Sequence, residues 1–328
     1  MTAAYDVTTI GNAIVDVIAP ATDAFLAARG LAKGSMGLVD EAQSAALYRG
    51  MAPGIETSGG SGANTAAGLA SFGARSAYIG KVAADQLGEV YAHDMRAIGV
   101  TFDTAPLIGG PATGRSLINV TADGERTMST FLGASNQLSA DDVDPALIEG
   151  AAIIFLEGYL FDPSEARIAF AKAAAIAREA GRLIAFTLSD TFVVERHRAE
   201  LLKFIETQVD IVFANEGEVT ALFQTDFEAA VAALATRTDI AAVTRGEAGS
   251  LITQGEARHL VPAYPVDKLV DTTGAGDQYA AGFLYGLSQA LPLDHCGRLG
   301  SLAATEVISH YGPRPMVSLA TLAASKGL

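Results

Sequence analysis

The sequence predicts an α/β fold in which helices cover a mainly parallel sheet. Short apolar runs alternate along the chain with longer, alanine-rich segments. The runs are continuously apolar, which is typical of strands buried on both faces of a parallel sheet. The segments between them have the apolar spacing of helices, and strands alternating with helices indicate the α/β class. No repeat or linker interrupts the 328 residues, so we expect one folding unit over residues 1–328.

The predicted strands come at regular intervals, at residues 7–10, 77–82, 152–156, 183–188, 211–214 and 240–243. The predicted helices are residues 62–72, 86–98, 164–179 and 216–223. Asp85 precedes the second helix and Asp162-Pro163 the third, where residues of these types commonly cap a helix.

Two segments, residues 13–40 and the region around 105–131, break this rhythm. Residues 115–121 and 126–131 resemble two strands, and Asp123-Gly124 in the turn between them is a hairpin signal. Strands inserted between βα units often form a lid over an active site. We therefore expect a small β lid from segments 13–40 and 105–131, with an ordinary surface hairpin as the alternative.

Composition excludes several classes of function. A net charge of -15 repels nucleic-acid phosphates and anionic lipid, so we expect neither partner. The single cysteine, Cys296, excludes a disulfide scaffold, and the five histidines lack metal-ligand spacing. The chain starts without a signal-peptide pattern and has no apolar stretch of membrane-spanning length, which predicts a soluble cytoplasmic protein.

The segment richest in chemical signals is residues 270–277, which precedes a helical pattern over 278–291. Gly274, Ala275 and Gly276 can form a turn whose N–H groups point into one concavity, and the helix N-terminus adds partial positive charge. This arrangement predicts an anion site. Asp277 either caps the helix or accepts a proton from a hydroxyl that attacks a phosphoryl group.

Two familiar nucleotide-binding loops are absent from the sequence. Gly80-Lys81 is followed by Val82, so there is no Walker-type loop. Residues 60–65 begin like a dinucleotide fingerprint, but Thr65 replaces the third glycine. A dinucleotide-dependent oxidoreductase is therefore a weak alternative.

Four motifs in order resemble those of the ribokinase-like carbohydrate kinases, the PfkB family. They are residues 59–66 (GGSGANTA), 215–218 (NEGE), 244–249 (TRGEAG) and 271–277 (DTTGAGD). The resemblance covers almost the whole chain and implies a three-layer ribokinase-like fold. It also implies an ATP- and Mg²⁺-dependent kinase acting on a small-molecule sugar or nucleoside, either as a monomer or as a homodimer. A non-catalytic sensor on the same fold is a further alternative.

The resemblance implies a role for each matching residue. Asp277 would be the base, and the amides of Gly274, Ala275 and Gly276 the anion hole. The substrate would lie at Asn12, Asp16, Gly59, Gly60, Ser61 and Asn64, with Asp16 gripping two hydroxyls. ATP would contact Asn215, Glu218, Thr244, Gly246 and Gly249, with Mg²⁺ held through water by Glu218. A monovalent cation such as K⁺ could lie near the anion hole, held by carbonyls around Asp271 and Thr273.

Within this family the chain most resembles the adenosine kinases, notably over residues 151–164, 187–192, 209–218 and 291–314. That subgroup places substrate-pocket residues where this chain has Ser189 to Phe192. Tyr159 and Phe131 could offer aromatic surface to a purine, unless both rings belong to the core. We expect phosphorylation of a nucleoside 5′-hydroxyl, adenosine giving AMP, while guanosine, inosine and a free sugar such as ribose stay open.

Overall fold

The computed structural model of the protein describes residues 3–328. Met1 and Thr2, where the segment without a signal-peptide pattern starts, lie outside the described residues. Within the described range, no helix is long and apolar enough to span a membrane. Two sheets organise this part of the chain, one of eight strands and one of five.

The strands of residues 3–328 are β1 (Tyr5–Ile10), β2 (Ile14–Pro20), β3 (Met36–Leu38), β4 (Ile55–Gly59), β5 (Ser76–Ile79), β6 (Gly114–Val120), β7 (Arg126–Phe131), β8 (Ala151–Glu157), β9 (Leu183–Thr187), β10 (Ile211–Asn215), β11 (Ile240–Thr244), β12 (Ser250–Gln254) and β13 (Ala257–Val261). The α-helices are α1 (Asp23–Ala28), α2 (Glu41–Tyr48), α3 (Ser61–Ser71), α4 (Gln86–Ala97), α5 (Pro145–Glu149), α6 (Ser164–Glu179), α7 (Thr191–Gln208), α8 (Glu216–Phe223), α9 (Phe227–Ala235), α10 (Ala275–Ser288), α11 (Leu293–Val307) and α12 (Leu319–Ser325).

The large sheet has the strand order β13-β12-β11-β10-β9-β8-β1-β5. Strands β5 to β11 in this order pair in parallel, and β12 and β13 add an antiparallel edge. All six predicted strands lie in its parallel part, although the run predicted over 77–82 ends at Ile79. The predicted α/β fold with a mainly parallel sheet is confirmed, and the hairpin β12–β13 was not predicted.

Both faces of the large sheet are covered by helices, which explains why its strands are continuously apolar. In β8, Ile154 and Leu156 join a cluster that contains residues of α6, including Phe170. Their neighbours Ile153 and Phe155 pack into a second cluster with residues of α10. Successive side chains of a strand point to opposite faces, so each face requires its own apolar set.

The small sheet has the order β3-β7-β6-β2-β4. Its strands β6 and β7 form the predicted antiparallel hairpin. β2 and β3 come from the predicted segment 13–40, but β4 comes from neither predicted segment. Only three residues separate β1 from β2, and only Gly60 separates β4 from α3. The small sheet therefore emerges directly from the carboxyl edge of the large one.

One of the two predicted helix caps is present. Asp85 caps α4 by accepting a hydrogen bond of 2.8 Å from the amide of Gly88. The prediction for Asp162 is wrong, because α6 begins at Ser164 with Pro163 at the N-cap position and no side-chain cap. Asp162 ends a short 3₁₀ turn and instead accepts hydrogen bonds from Arg196 and the Nε2 of His197, at 2.6 and 2.8 Å.

Candidate active site

A cavity of about 740 Å³ lies at the carboxyl edge of the large sheet and continues beneath the small sheet. Its walls include the ends of β8 to β11, the first turns of α3 and α10, and one face of the small sheet. Open α/β sheets bind ligands outside the carboxyl ends of their strands, because loops and helix N-termini converge there. The cavity is therefore the candidate active site.

The first turn of α10 presents backbone amides to this cavity. Gly274 has a φ of +77°, and a Cβ there would lie 2.6 Å from the Cβ of Pro313, so this position requires glycine. The amide of Ala275 donates to Thr272 O at 3.2 Å and is not free, contrary to its predicted anion-hole role. Within residues 3–328 the amides of Gly274, Gly276 and Asp277 have no acceptor. The free amides thus differ from the predicted set in one member, since Asp277 takes the place of Ala275.

Asp277 lies in the first turn of α10 and faces the cavity, where its carboxylate is half-buried. It accepts hydrogen bonds from Ser61 Oγ at 2.6 Å and from Asn64 Nδ2 at 3.0 Å. Burial raises the pKa of Asp277, and these two hydrogen bonds oppose the rise. Ser61 and Asn64, predicted as substrate residues, line the cavity but also fix the orientation of this carboxylate.

Asp16 is buried on β2 and faces the same cavity. Its carboxylate has no side-chain hydrogen-bond donor among the described residues, so both oxygens can accept from a ligand. Burial raises the pKa of Asp16 to about 7, while Arg314 and Arg126 oppose the rise. Gly59 packs so closely on this carboxylate that a Cβ would overlap it, which explains the glycine at that position.

Glu157, at the end of β8, organises the floor of the cavity and was missed by the sequence analysis. It accepts hydrogen bonds from the amide and Nδ2 of Asn12, at 3.2 and 2.9 Å, and from the amide of Gly62 at 2.7 Å. Burial raises its pKa to about 7. Gly60 has a φ of +97° and lies against Asn12 O, where any side chain would overlap. The glycine-rich loop is therefore held by close backbone contacts.

Asn215 and Glu218 form a reciprocal capping box at the start of α8. Asn215 Oδ1 accepts from the amide of Glu218 at 2.8 Å, and Glu218 accepts from the amide and Nδ2 of Asn215 at 3.0 and 2.7 Å. Glu218 is only 5% exposed, which excludes a merely solvated helix residue, and burial raises its pKa to about 7. Both residues line the cavity.

The predicted nucleotide loop lies only partly on the cavity. Thr244, at the end of β11, lines it, whereas Gly246 and Gly249 do not. Gly249 has a φ of +82°, and a Cβ there would overlap Val261 O, so its glycine serves the turn into β12. Across residues 3–328 no three His, Cys, Asp or Glu side chains are grouped to hold a metal ion.

Arg126, at the start of β7, reaches from the small sheet to the segment before α10. Its guanidinium forms an ion pair with the buried carboxylate of Asp271 and donates to Thr273 Oγ1 at 3.0 Å. Asp271 also accepts from the amides of Thr273 and Gly312, both at 3.0 Å. The side chains of Asp271 and Thr273 are thus occupied by an arginine of the same chain, whereas the monovalent cation was predicted at backbone carbonyls around these residues.

The apolar part of the cavity comes largely from the small sheet, with Met36, Leu38, Ile118, Met128 and Leu132. Tyr159 lines the cavity as predicted, and so do Ser189, Asp190 and Phe192. Phe131 does not line the cavity, in contrast to its predicted substrate contact. The side chains of a strand alternate between faces, and it is Met128 and Thr130 of β7 that face inward.

The comparisons with known proteins agree with this geometry. Residues 55–319 match the model of the pfkB family carbohydrate kinases. The chain belongs to this family. A crystal structure of an adenosine kinase from Sinorhizobium meliloti is 51% identical, with a TM-score of 0.93 over 98% of this chain and 99% of that one. A probable sugar kinase from Rhizobium etli is 48% identical, with a TM-score of 0.94 over 99% of both chains.

A more distant relative, an uncharacterized sugar kinase from Archaeoglobus fulgidus, is 30% identical over 75% of this chain and 96% of its own length. Together these findings confirm the predicted family, the ribokinase-like fold and the enzyme class. The protein is a phosphotransferase that acts on a sugar or a nucleoside.

Proposed function

We propose that this kinase transfers the γ-phosphoryl group of ATP to the primary (5′) hydroxyl of a nucleoside, with adenosine giving AMP as the expected reaction. One observation carries the proposal. The carboxylate of Asp277 and the free amides of Gly274 and Gly276 line the same cavity as the unpartnered carboxylate of Asp16. A hydroxyl-bearing substrate held by Asp16 therefore meets both a proton acceptor and an anion site.

The proposed reaction assigns one task to each of these groups. Asp16 accepts hydrogen bonds from two ribose hydroxyls and orients the primary hydroxyl toward Asp277. Asp277 takes the proton of that hydroxyl while the hydroxyl oxygen bonds to the γ-phosphorus. The bond from this phosphorus to the bridging oxygen breaks, which releases ADP. The amides at the start of α10 stabilise the negative charge on the phosphoryl oxygens during transfer.

The residues present fit Mg²⁺ only as an ion held through water and by phosphate oxygens. The oxygens of Glu218 are already engaged by the amide and Nδ2 of Asn215, and no group of three His, Cys, Asp or Glu side chains within residues 3–328 could hold a metal ion. We assign Glu218 and Asn215 to the hydration shell of Mg²⁺ and to the ATP phosphates, with Thr244 near the nucleotide. When bound, Mg²⁺ neutralises phosphate charge. A monovalent cation would have to use backbone carbonyls around Asp271 and Thr273, because Arg126 already occupies the two side chains.

The apolar wall of the cavity favours a nucleoside over a free sugar. Met36 and Leu38 are 41% and 57% exposed although they line the cavity, so a flat base can bury surface that a sugar alone leaves in water. The similarity to the Sinorhizobium meliloti adenosine kinase supports the same choice. A free sugar is the second candidate, because the Rhizobium etli relative is described as a probable sugar kinase.

We further propose that the small sheet serves as a lid over the nucleoside within a single kinase domain. Its strands supply the apolar wall and Asp16, and Arg126 ties it to the segment before α10. A lid that excludes water limits the hydrolysis of ATP without transfer.

The role of Asp277 is tested by Asp277→Asn, with Asp294→Asn as the matched control. Both residues are in the first turn of a helix, but Asp294 is not on the cavity. Removal of a general base should lower kcat by about 10²- to 10⁴-fold in the first variant and leave it unchanged in the second. Near-normal turnover in a folded Asp277→Asn protein would refute the assignment.

The substrate is tested by ADP release in the presence of Mg²⁺ with adenosine, guanosine, inosine, ribose and other sugars, each with and without K⁺. We expect the highest kcat/KM with adenosine. A higher value with a free sugar would favour the second candidate and would leave the role of Asp277 intact.

A further inference from the structure

Arg314 is a largely buried cation close to the candidate active site, and none of the four sequence motifs contains it. Its Nε donates to Asn64 Oδ1 at 3.4 Å, and its terminal nitrogens contact Ser58 Oγ at 2.7 Å and Met95 Sδ at 3.3 Å. Ser58 precedes Gly59, which packs on the Asp16 carboxylate. Arg314 therefore contacts Asn64, which holds the Asp277 carboxylate, and the residue next to Gly59, which packs on the Asp16 carboxylate.

The backbone just before Arg314 is fixed to α10 and to Asp271, which precedes that helix. The amide of Gly312 donates to Asp271 at 3.0 Å, and Pro313 O accepts from the side chain of Gln278 at 3.0 Å. Pro313 also packs against Gly274, which must be glycine for that contact. The segment that carries the guanidinium therefore packs directly against the anion site.

Asn64 can face Asp277 productively in only one of its two amide orientations. Its Nδ2 donates to Asp277 at 3.0 Å, which requires its Oδ1 to point away, toward Arg314. Arg314 has donors and no acceptor, so it favours this orientation and disfavours the flipped one. With the flipped amide, an oxygen would face the carboxylate of Asp277.

Arg314 also lies near Asp16, since it donates to Ser58 Oγ at 2.7 Å and the next residue, Gly59, packs on the Asp16 carboxylate. The charged groups that act on Asp16 are Arg314, Arg126 on β7 and Asp277 on α10, and only the two arginines favour its ionised form. The titratable groups around Arg314 itself are Asp16, Tyr78, Tyr91 and Asp94. Loss of the guanidinium would leave Arg126 as the remaining cation that opposes the effect of burial on Asp16.

We propose that Arg314 is a positioning residue that orients the Asn64 amide against Asp277 and balances the charge of Asp16. It touches neither the reacting atoms nor the phosphoryl group, and it acts through these two residues. The inference rests on the proposed function, in which Asp277 is the base and Asp16 the hydroxyl-binding group.

The test compares Arg314→Met and Arg314→Lys with the control Arg298→Met, which removes an exposed arginine on α11. We expect Arg314→Met to lower kcat about tenfold and to move the acid limb of kcat/KM upward by about one pH unit, because Asp16 is then protonated at higher pH. Arg314→Lys keeps the charge but lacks the planar fork, so its acid limb should stay near that of the wild type while kcat still falls. The control should match the wild type in both.

A folded Arg314→Met protein with an unshifted acid limb and normal kcat would overturn the proposal, and so would one that lost only thermal stability. If Arg314→Met does not fold, Arg314→Lys decides the matter, since a wild-type kcat in that variant would remove the orienting role. Failure of the proposed function would look different, because the wild-type enzyme would then release no ADP with any nucleoside or sugar.

Discussion

Replacing each of the two glycines at the start of α10 by alanine should have different effects, a loss of stability at the first and a loss of turnover at the second. Gly274 has a φ of +77° and its Cβ position lies 2.6 to 2.7 Å from three atoms of Pro313. The left-handed conformation costs alanine about 1–2 kcal/mol, and relief of the overlap about 1–3 kcal/mol more. The free energy of unfolding should thus fall by about 2–5 kcal/mol in Gly274→Ala.

Gly276 provides the matched control for this loss of stability. A Cβ there meets no atom within 4 Å, and the residue lies within the helix. Alanine favours a helix over glycine by about 1 kcal/mol, so Gly276→Ala should be as stable as the wild type or slightly more so. Its methyl group, however, points into the cavity beside the free amide, where the phosphoryl group is proposed to bind.

Thermal unfolding and ADP release separate these effects. We expect the Tm of Gly274→Ala to fall by roughly 3–7 °C. We expect Gly276→Ala to keep its Tm and to lose kcat by on the order of 100-fold, comparable to the loss of one oxyanion donor. Normal turnover in Gly276→Ala would refute the anion site, and an unchanged Tm in Gly274→Ala would refute the close contact with Pro313.

Two further predictions concern the carboxylates of Asp16 and Asp85. Because burial raises the pKa of Asp16 to about 7, its ionised form is lost as the pH falls through 7, so the KM for the nucleoside should rise in that range. Asp16→Asn should bind the nucleoside weakly at every pH. If the KM of this variant still depends on pH, the titrating group would be Glu157 or Glu218, whose pKa values are also about 7. Asp85 accepts from the amides of Gly88 and Thr113 and from Thr113 Oγ1, at 2.8, 2.9 and 2.6 Å. Asp85→Ala should therefore lower the free energy of unfolding by about 2–4 kcal/mol, as measured by denaturant unfolding. Asp226, which caps α9 by accepting only from the amide of Ala229, is the control, and Asp226→Ala should cost about 1 kcal/mol.

The large sheet could be predicted from sequence because a strand that is buried on both faces is a continuous run of apolar residues. The run at β8 is apolar at every position up to Glu157, since both sets of alternate side chains meet helices. β4 has no such continuous apolar run. Ile55 is 72% exposed and polar residues follow it, so this strand is held by its pairing with β2.

Some residues of the candidate site could likewise be predicted from the local sequence, and others could not. Gly274, Gly276 and Asp277 were found because a small-residue turn, a helix start and a carboxylate are adjacent in sequence. Glu157 and Arg314 were not, because their partners lie 95 to 256 residues away along the chain. One signal was available for Glu157, since a carboxylate that ends a buried parallel strand lies at the edge where ligands bind.

An acidic protein needs a local source of positive potential to hold a triphosphate. The net charge is -15, and the cavity itself contains the carboxylates of Asp16, Glu157, Glu218 and Asp277. The amides and dipole of α10 supply part of what is needed. Arg126 reaches from the small sheet to Asp271 and Thr273, just before α10, so its charge is present there only when the small sheet packs on this segment. We therefore expect variants that detach the small sheet to weaken ATP binding without altering residues 271–277.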